Sequence, residues 1–144
     1  EHRCQWIAEQ QGVSWFNDSK GTNLGATLAA VVGLGETQER SHSLILIAGG
    51  QAKGQDFSGL KLAGQRYLKS LILIGEDRQK MADEIGFETT CFADSLIDAV
   101  RLAESQAELG DAVLLSPACA SFDMFDNFGH RGDVFRATVR RFLA

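Results

Sequence analysis

Residues 111–132, DAVLLSPACASFDMFDNFGHRG, decide how the rest of the chain is read. Ala112, Val113, Leu114 and Leu115 form a continuous apolar run as long as a short strand. A run without polar alternation suits a parallel strand buried on both faces. It breaks at Ser116-Pro117-Ala118-Cys119-Ala120-Ser121, where almost every residue is small. Small residues after a strand let a ligand approach the backbone, whose N–H groups can bind an anion, above all where a helix starts. Open α/β sheets bind ligands beyond the carboxyl ends of their strands. A tight strand-to-helix turn packed with small residues accounts for the same pattern equally well.

Outward from this stretch the same grammar repeats. Apolar runs at 44–48 and 71–74 end at Gly49-Gly50 and Gly75, and a fourth strand is expected over 87–92. Leu24, Leu28, Val31 and Val32 recur at helical spacing, so a helix begins near Thr22 or Asn23 and ends at Gly33 and Gly35. Further helices are expected over 60–67 and from Asp77 or Arg78 to Ile85, the latter closed by Gly86. Ser95 with Asp98 forms a capping pattern before a helix with Leu96, Ile97, Val100, Ala103 and Ala107 on one face, stopped by Gly110. Val134, Phe135, Thr138, Val139 and Phe142 mark a last amphipathic helix. At the start, Cys4, Trp6 and Ala8 alternate, Gln10-Gln11-Gly12 is a turn, and 13–16 is a second strand, together a hairpin. The prediction is an α/β fold: a Rossmann-like, mostly parallel sheet with helices on both faces, the hairpin adding one antiparallel strand.

Length allows one domain, 1–144, and a hydrophobic fraction of 44% supports a core. A net charge of -5 argues against nucleic-acid binding, which needs a basic face. Cys4, Cys91 and Cys119 are scattered and odd in number, as reduced thiols of a cytosolic protein are. His2, His42 and His130 show no metal-ligand spacing. No signal peptide or membrane-length apolar run is present. The chain opens Glu1-His2-Arg3 rather than with Met, and reads as a piece of a longer protein.

Residues 18–23, 49–56 and 116–121 each follow an expected strand, so a parallel sheet would put all three on one rim. Lys20 and Lys53 are point charges suited to carboxylate or phosphate. Thr22 and Ser121 bring hydroxyls, Asn23 an amide, and Asp18 a carboxylate able to hold a ribose hydroxyl. Each has a plainer reading. Asp18, Ser19 and Thr22 can cap a helix, and Lys53 can be a solvated loop lysine. Arg131 can pair with a surface carboxylate, and Cys119 reads as a buried small hydrophobe rather than a nucleophile. Neither G-x-G-x-x-G nor a Gly-Lys-Ser/Thr phosphate loop occurs.

The motifs Asn17-Asp18-Ser19-Lys20-Gly21-Thr22-Asn23, Gly49-Gly50-Gln51-Ala52-Lys53-Gly54 and Leu115-Ser116-Pro117-Ala118-Cys119-Ala120-Ser121-Phe122-Asp123 are joined by Asn127-Phe128 and Arg131-Gly132. Together they resemble the C-terminal domain of Mur ligases, and within that family the D-glutamate-adding branch. The resemblance runs from His2 to the last helix. It implies the third domain of a three-domain, ATP-dependent ligase of bacterial cell-wall precursor synthesis, working in the cytoplasm with no membrane or nucleic-acid partner. The implied partners are D-glutamate, ATP or ADP, and UDP-N-acetylmuramoyl-L-alanine, with Mg2+ and ATP bound mainly by a central domain outside this chain. The implied reaction passes through an acyl phosphate that the amine of D-glutamate attacks. By the family pattern Thr22 and Lys53 hold the α-carboxylate of D-glutamate, and Ser121 with the backbone of Phe128 holds the side-chain carboxylate. His2, Arg3, Asp18, Lys20 and Asn23 fall on the nucleotide side, and Arg131 is a further site candidate. Many members carry an acid where this chain has Ala52, and Gly21 stands where Ala is common. No single residue is assigned as catalytic and no metal ligand is expected in this chain, which alone should be inactive. A folate polyglutamate-type ligase domain or a stand-alone Rossmann-like binding module are the competing readings.

Overall fold

The computed structural model describes residues 1–143. A hairpin opens the chain, β1 (Gln5–Gln10) and β2 (Val13–Asn17). Its turn residues Gln11 and Gly12 both have positive φ, 54° and 76°, the backbone that matches a turn to the twist of its strands. Strands and helices then alternate: α1 (Leu24–Gly35), β3 (Leu44–Gly49), α2 (Leu60–Tyr67), β4 (Leu68–Ile74), α3 (Arg78–Ile85), β5 (Thr90–Phe92), α4 (Leu96–Gln106), β6 (Ala112–Leu115) and α5 (Phe128–Leu143). The six strands form one sheet in the order β1-β2-β6-β3-β4-β5. Only β1 runs antiparallel to its neighbour. The expected fold class is therefore the observed one.

Every residue of β3 and β6 is buried, which is why both read as unbroken apolar runs. Successive side chains enter opposite layers. Leu44, Leu46 and Leu114 pack with α1, α2 and α3 on one face. Ile45, Ile47, Val113 and Leu115 pack with α4 and α5 on the other. With β2, β6, β3 and β4 parallel, their ends at Asn17, Leu115, Gly49 and Ile74 share one rim.

Several boundaries differ from the sequence reading, each for a local reason. β4 starts at Leu68, before the apolar run, because its polar residues find partners. Lys69 Nζ lies 2.6 Å from Asp111 Oδ2, and Ser70 Oγ donates to Gln106 Oε1 at 2.6 Å. β5 pairs only over three residues, at the sheet edge. In β1 a bulge between Trp6 and Ala8 turns Ile7 into the core and leaves Trp6 exposed. α1 runs through Gly33. α4 ends at Gln106, short of Gly110, and buries Leu96, Ala99, Val100 and Ala103 while Ile97 faces outward. α5 begins at Phe128, well before its apolar spacing, because Asn127 Oδ1 accepts from the N–H of His130 at 2.8 Å and caps it.

Candidate active site

The loops beyond β2, β3 and β6 are joined to one another by backbone hydrogen bonds. The N–H of Ala118 donates to Gly21 O at 2.8 Å, linking the β6 loop to the β2 loop. Gln51 and Ala120 exchange N–H···O bonds of 3.0 and 3.2 Å, linking it to the β3 loop. The loop after β4 joins through the N–H of Asp77, which donates to Gly50 O at 3.2 Å, and through Asp77 Oδ2, which accepts from Ala52 N at 2.7 Å. Such close approach needs glycine: a Cβ on Gly50 would stand 2.3 Å from Ala120 O. Lys53 and Ala118 hold left-handed backbone, φ 54° and 62°. Strained residues of this kind gather at ligand sites.

Thr22, Lys53 and Ser121 each sit within two residues of one of these inter-loop bonds. Lys53 is exposed and Thr22 half-buried, while Ser121 is buried. Phe128 is the first residue of α5, so its N–H is among those no helical carbonyl can pair. Its carbonyl accepts from Ser19 Oγ at 2.7 Å. Lys20 Nζ stands 5.7 Å from the centre of the Phe128 ring, which carries the β2 loop to the start of α5.

Asp18 is buried and both its oxygens are engaged. Oδ1 accepts from the N–H of Cys4 at 2.9 Å and Oδ2 from Ser116 Oγ at 2.6 Å. Burial nevertheless pushes its carboxyl above the ordinary range, against those two hydrogen bonds and the pull of Arg3. Beside it Arg3, Lys20 and Asn23 border a groove of about 500 Å3 floored by Ala26, Ala30 and Gly33 of α1. Asn23 also caps α1, its Oδ1 accepting from Ala26 N at 2.9 Å. A shallow floor of small residues with charges at one end suits a flat base with phosphates. His2 does not join this groove. It is buried against Asn17, whose Nδ2 is 2.8 Å from His2 Nδ1. Asn17 Oδ1 accepts from Ser19 N, so its amide donates toward His2 and leaves the imidazole proton on Nε2.

Arg131 is not a surface ion pair. It is 1% exposed, and its Nε, Nη2 and Nη1 donate to Ser19 Oγ (2.9 Å), Ser19 O (2.7 Å) and Cys119 O (3.0 Å). The guanidinium thus fastens the β2 and β6 loops to α5 through neutral oxygens. Burial lowers its pKa to about 10, which leaves it charged at neutral pH. Burial pushes the Cys119 thiol up to about 12, so it stays a thiol, and it packs 3.5 Å from the sulfur of Met81. Ala52 is buried in the first core layer and points no group at the rim.

Gln55 was not singled out by its sequence. Its Nε2 donates to Ala118 O at 2.9 Å and its Oε1 accepts from Leu24 N at 2.8 Å, so one amide spans three loops. Only its place in a polar loop hinted at it. On the same rim Gln51 Oε1 and Asp123 Oδ1 are buried acceptors with no donor among the described residues. Magnesium asks for an all-oxygen, near-octahedral set. The single cluster of possible metal ligands among the described residues is Glu1, His2 and Asp133. It brings an imidazole and two mostly exposed carboxylates, and does not fit that ion.

Residues 2–119 match the family described as Mur ligase, glutamate ligase domain. The UDP-N-acetylmuramoylalanine–D-glutamate ligase of Coxiella burnetii is 54% identical over 139 residues, 96% of this chain. The chain spans 31% of that protein's length. Among solved structures, a murein peptide ligase from Psychrobacter arcticus superposes on 99% of this chain with a TM-score of 0.67 at 14% identity, the match taking up 29% of that ligase. E. coli FolC in complex with ADP superposes on 97% of it with a TM-score of 0.66 at 19% identity, over 32% of its own length. These two likenesses are of fold.

Proposed function

From a chain that belongs to the Mur ligase family as its glutamate ligase domain, we propose an ATP-dependent ligase that adds D-glutamate to UDP-N-acetylmuramoyl-L-alanine. This chain supplies the amino-acid pocket and one wall of the nucleotide site. The observation that carries the reading is the welding of three strand-end loops into one rim bearing Thr22, Lys53 and Ser121. The 54% identity with a ligase of that name supports D-glutamate over other amino acids.

Thr22 and the ammonium of Lys53 hold the α-carboxylate. Ser121 and the N–H of Phe128 hold the side-chain carboxylate, with the helix dipole of α5 behind them. Two carboxylates gripped at two fixed points leave the amine as the free end, as attack requires. Gln51 Oε1 and Asp123 Oδ1 lack donors and offer acceptors to an incoming ammonium. Arg131 adds a buried charge whose direct contacts are all neutral oxygens, with Asp123 acting on it from farther off. On the nucleotide side Asp18 holds a ribose hydroxyl, and Arg3 and Lys20 lie toward the phosphates, with Asn23 beside them. His2 acts at one remove, by seating Asn17. When bound, ATP supplies the phosphoryl group that activates the acceptor carboxylate. A magnesium ion would be held elsewhere in the enzyme.

The chain carries no phosphate loop of its own, so alone it forms no amide product. ATP and a UDP-linked acceptor as its substrates put the work in the bacterial cytoplasm. No helix among the described residues is long and apolar enough to cross a membrane. In the full enzyme, Lys53→Ala should raise the KM for D-glutamate roughly 10- to 150-fold, the loss of about 1.5–3 kcal/mol expected for a hydrogen bond to a charged group. An unchanged KM removes Lys53 from the pocket. Preference for L-glutamate over D-glutamate in the same assay would transfer the chain to the folate-type reading.

A further inference from the structure

Asp77 stands just before the first turn of α3, where an aspartate ordinarily caps its own helix. It makes no such side-chain bond. Its Oδ2 reaches instead to the β3 loop and accepts from the N–H of Ala52 at 2.7 Å, while its own N–H donates to Gly50 O at 3.2 Å. Further along α3, Lys80 Nζ donates to Gln55 O at 3.0 Å and Glu84 Oε1 accepts from the N–H of Phe57 at 3.0 Å. Residues 77, 80 and 84 fall on one helix face. That face supplies polar partners to the backbone on either side of Lys53. Lys53 holds φ 54°, a left-handed backbone that a residue with a Cβ keeps only where its surroundings impose it. The segment before α3 holds the other anchor's loop as well. The N–H of Glu76 donates to Asp123 Oδ2 at 2.9 Å, two residues past Ser121. Gln51 and Ala120 form an antiparallel pair. From it the two loops run off in opposite directions, one to Lys53 and the other to Ser121.

We propose that Asp77 is a positioning residue for the amino-acid site. By holding the N–H of Ala52 from the same segment that holds Asp123, it fixes Lys53 relative to Ser121 and so sets the length of dicarboxylic amino acid that fits. This rests on the reading of Lys53 and Ser121 as the two carboxylate anchors. A spacing held from outside the pocket discriminates by chain length: glutamate spans it, and aspartate, one methylene shorter, does not. Asp77 touches neither carboxylate; it acts through the backbone that carries Lys53. Lys80 and Glu84 are paired with each other at 2.7 Å nearer to water, and add less.

The test is steady-state kinetics of the full enzyme with D-glutamate and with D-aspartate. Asp77→Ser keeps a hydroxyl able to cap α3, but its oxygen falls one bond short of Ala52. Asp77→Asn keeps an oxygen at full reach. In Asp77→Ser the KM for D-glutamate should rise about fivefold or more, as loss of a charge-assisted hydrogen bond allows, with the KM for ATP within about twofold of the parent's. The preference in kcat/KM for D-glutamate over D-aspartate should fall about threefold or more. Asp77→Asn should bring KM and preference back to within about twofold of the parent. Added to Lys53→Ala, Asp77→Ser should raise the KM for D-glutamate no further, because the two act through one group. Should Asp77→Ser not fold, Lys80→Met with Glu84→Leu releases the same loop at Gln55 and Phe57 and is judged by the same outcomes. An unchanged KM and preference in the folded variant overturns the proposal. So does an effect that adds in full to that of Lys53→Ala, or a KM for ATP that rises as much as that for D-glutamate, which general loosening would give. If Lys53→Ala raises the KM and Asp77→Ser does not, only the positioning role falls. If Lys53→Ala leaves it unchanged, the anchor reading falls and this role with it.

Discussion

The two ends of β6 handle buried charge in opposite ways. At its entry, Asp111 is buried but met by Arg40 Nη2 at 2.8 Å, Lys69 Nζ at 2.6 Å and the N–H of Glu108 at 2.8 Å. At its exit, Arg131 lies behind the loop with three neutral oxygens in contact and Asp123 acting on it only from farther off, and burial pushes the Asp18 carboxyl above its ordinary range. Paired charge anchors a fold and asks nothing of a ligand. Charge met in direct contact only by dipoles, with its counter-charges farther off, leaves a field that a ligand of opposite sign can complete. The same strand therefore has an end whose buried charge is paired and an end to which we assign the ligand.

Arg131→Met gives the largest expected effect. It strips the donor from Ser19 O, Cys119 O and Ser19 Oγ, and each buried unpaired acceptor costs about 1–3 kcal/mol. The loss should reach about 3 kcal/mol or more in chemical denaturation, with the D-glutamate KM raised at least tenfold in whatever enzyme still folds. Arg131→Lys sharpens the point. It restores the charge but not the fork that spans two loops, so it should recover KM better than stability. Full recovery of both would show that the fork is dispensable.

Asp111→Ala, at the other end, should cost about 1–3 kcal/mol, since Arg40 and Lys69 can turn to water once released. Its signature is a lower Tm with the D-glutamate KM unmoved. A changed KM would erase the distinction between the two ends.

Asp18→Asn separates stability from function on the exit rim. Burial raises the carboxyl in the folded state, so the folded chain binds this proton more tightly than the unfolded one. Stability from this group is then highest in acid and falls as pH rises from the ordinary carboxylate value through the raised one. Asparagine can keep the bonds to Cys4 and Ser116 without the charge. The variant should lose that acid-limb slope and be at least as stable at neutral pH, while its KM for ATP rises. A pH–stability curve superimposable on the parent's would show that Asp18 carries no such burden.

Gly33→Ala is the gentlest probe. A Cβ there meets nothing within 4 Å. Helix propensity predicts a gain of about 0.5–1 kcal/mol. Because Gly33 borders the groove beside Asp18, the methyl should also weaken ADP binding slightly. A stability gain with unchanged ADP affinity would move the base away from that part of α1.

What the sequence determined by itself was whatever a local pattern can carry. Unbroken apolar runs at 44–48 and 112–115 marked the doubly buried strands, because burial on both faces leaves no polar alternation. Ser95 announced a helix start through a short-range cap that the structure contains, the helix expected to begin near Thr22 or Asn23 does so with Asn23, not Thr22, as its cap, and the strand-end motifs placed the candidate site on one rim. Tertiary structure alone decided the roles that depend on residues far apart in the chain. Arg131 meets Ser19 across 112 positions, and Gln55 meets Ala118 across 63. His2 packs on Asn17 rather than lining the groove beside Asp18, and α5 extends to Phe128 although Gly129 and Gly132 weaken it locally. The physical reason is the same in each case. A side chain's donors and charge are fixed by its type, but their partners are set by which strands lie side by side, and that is a property of the whole sheet.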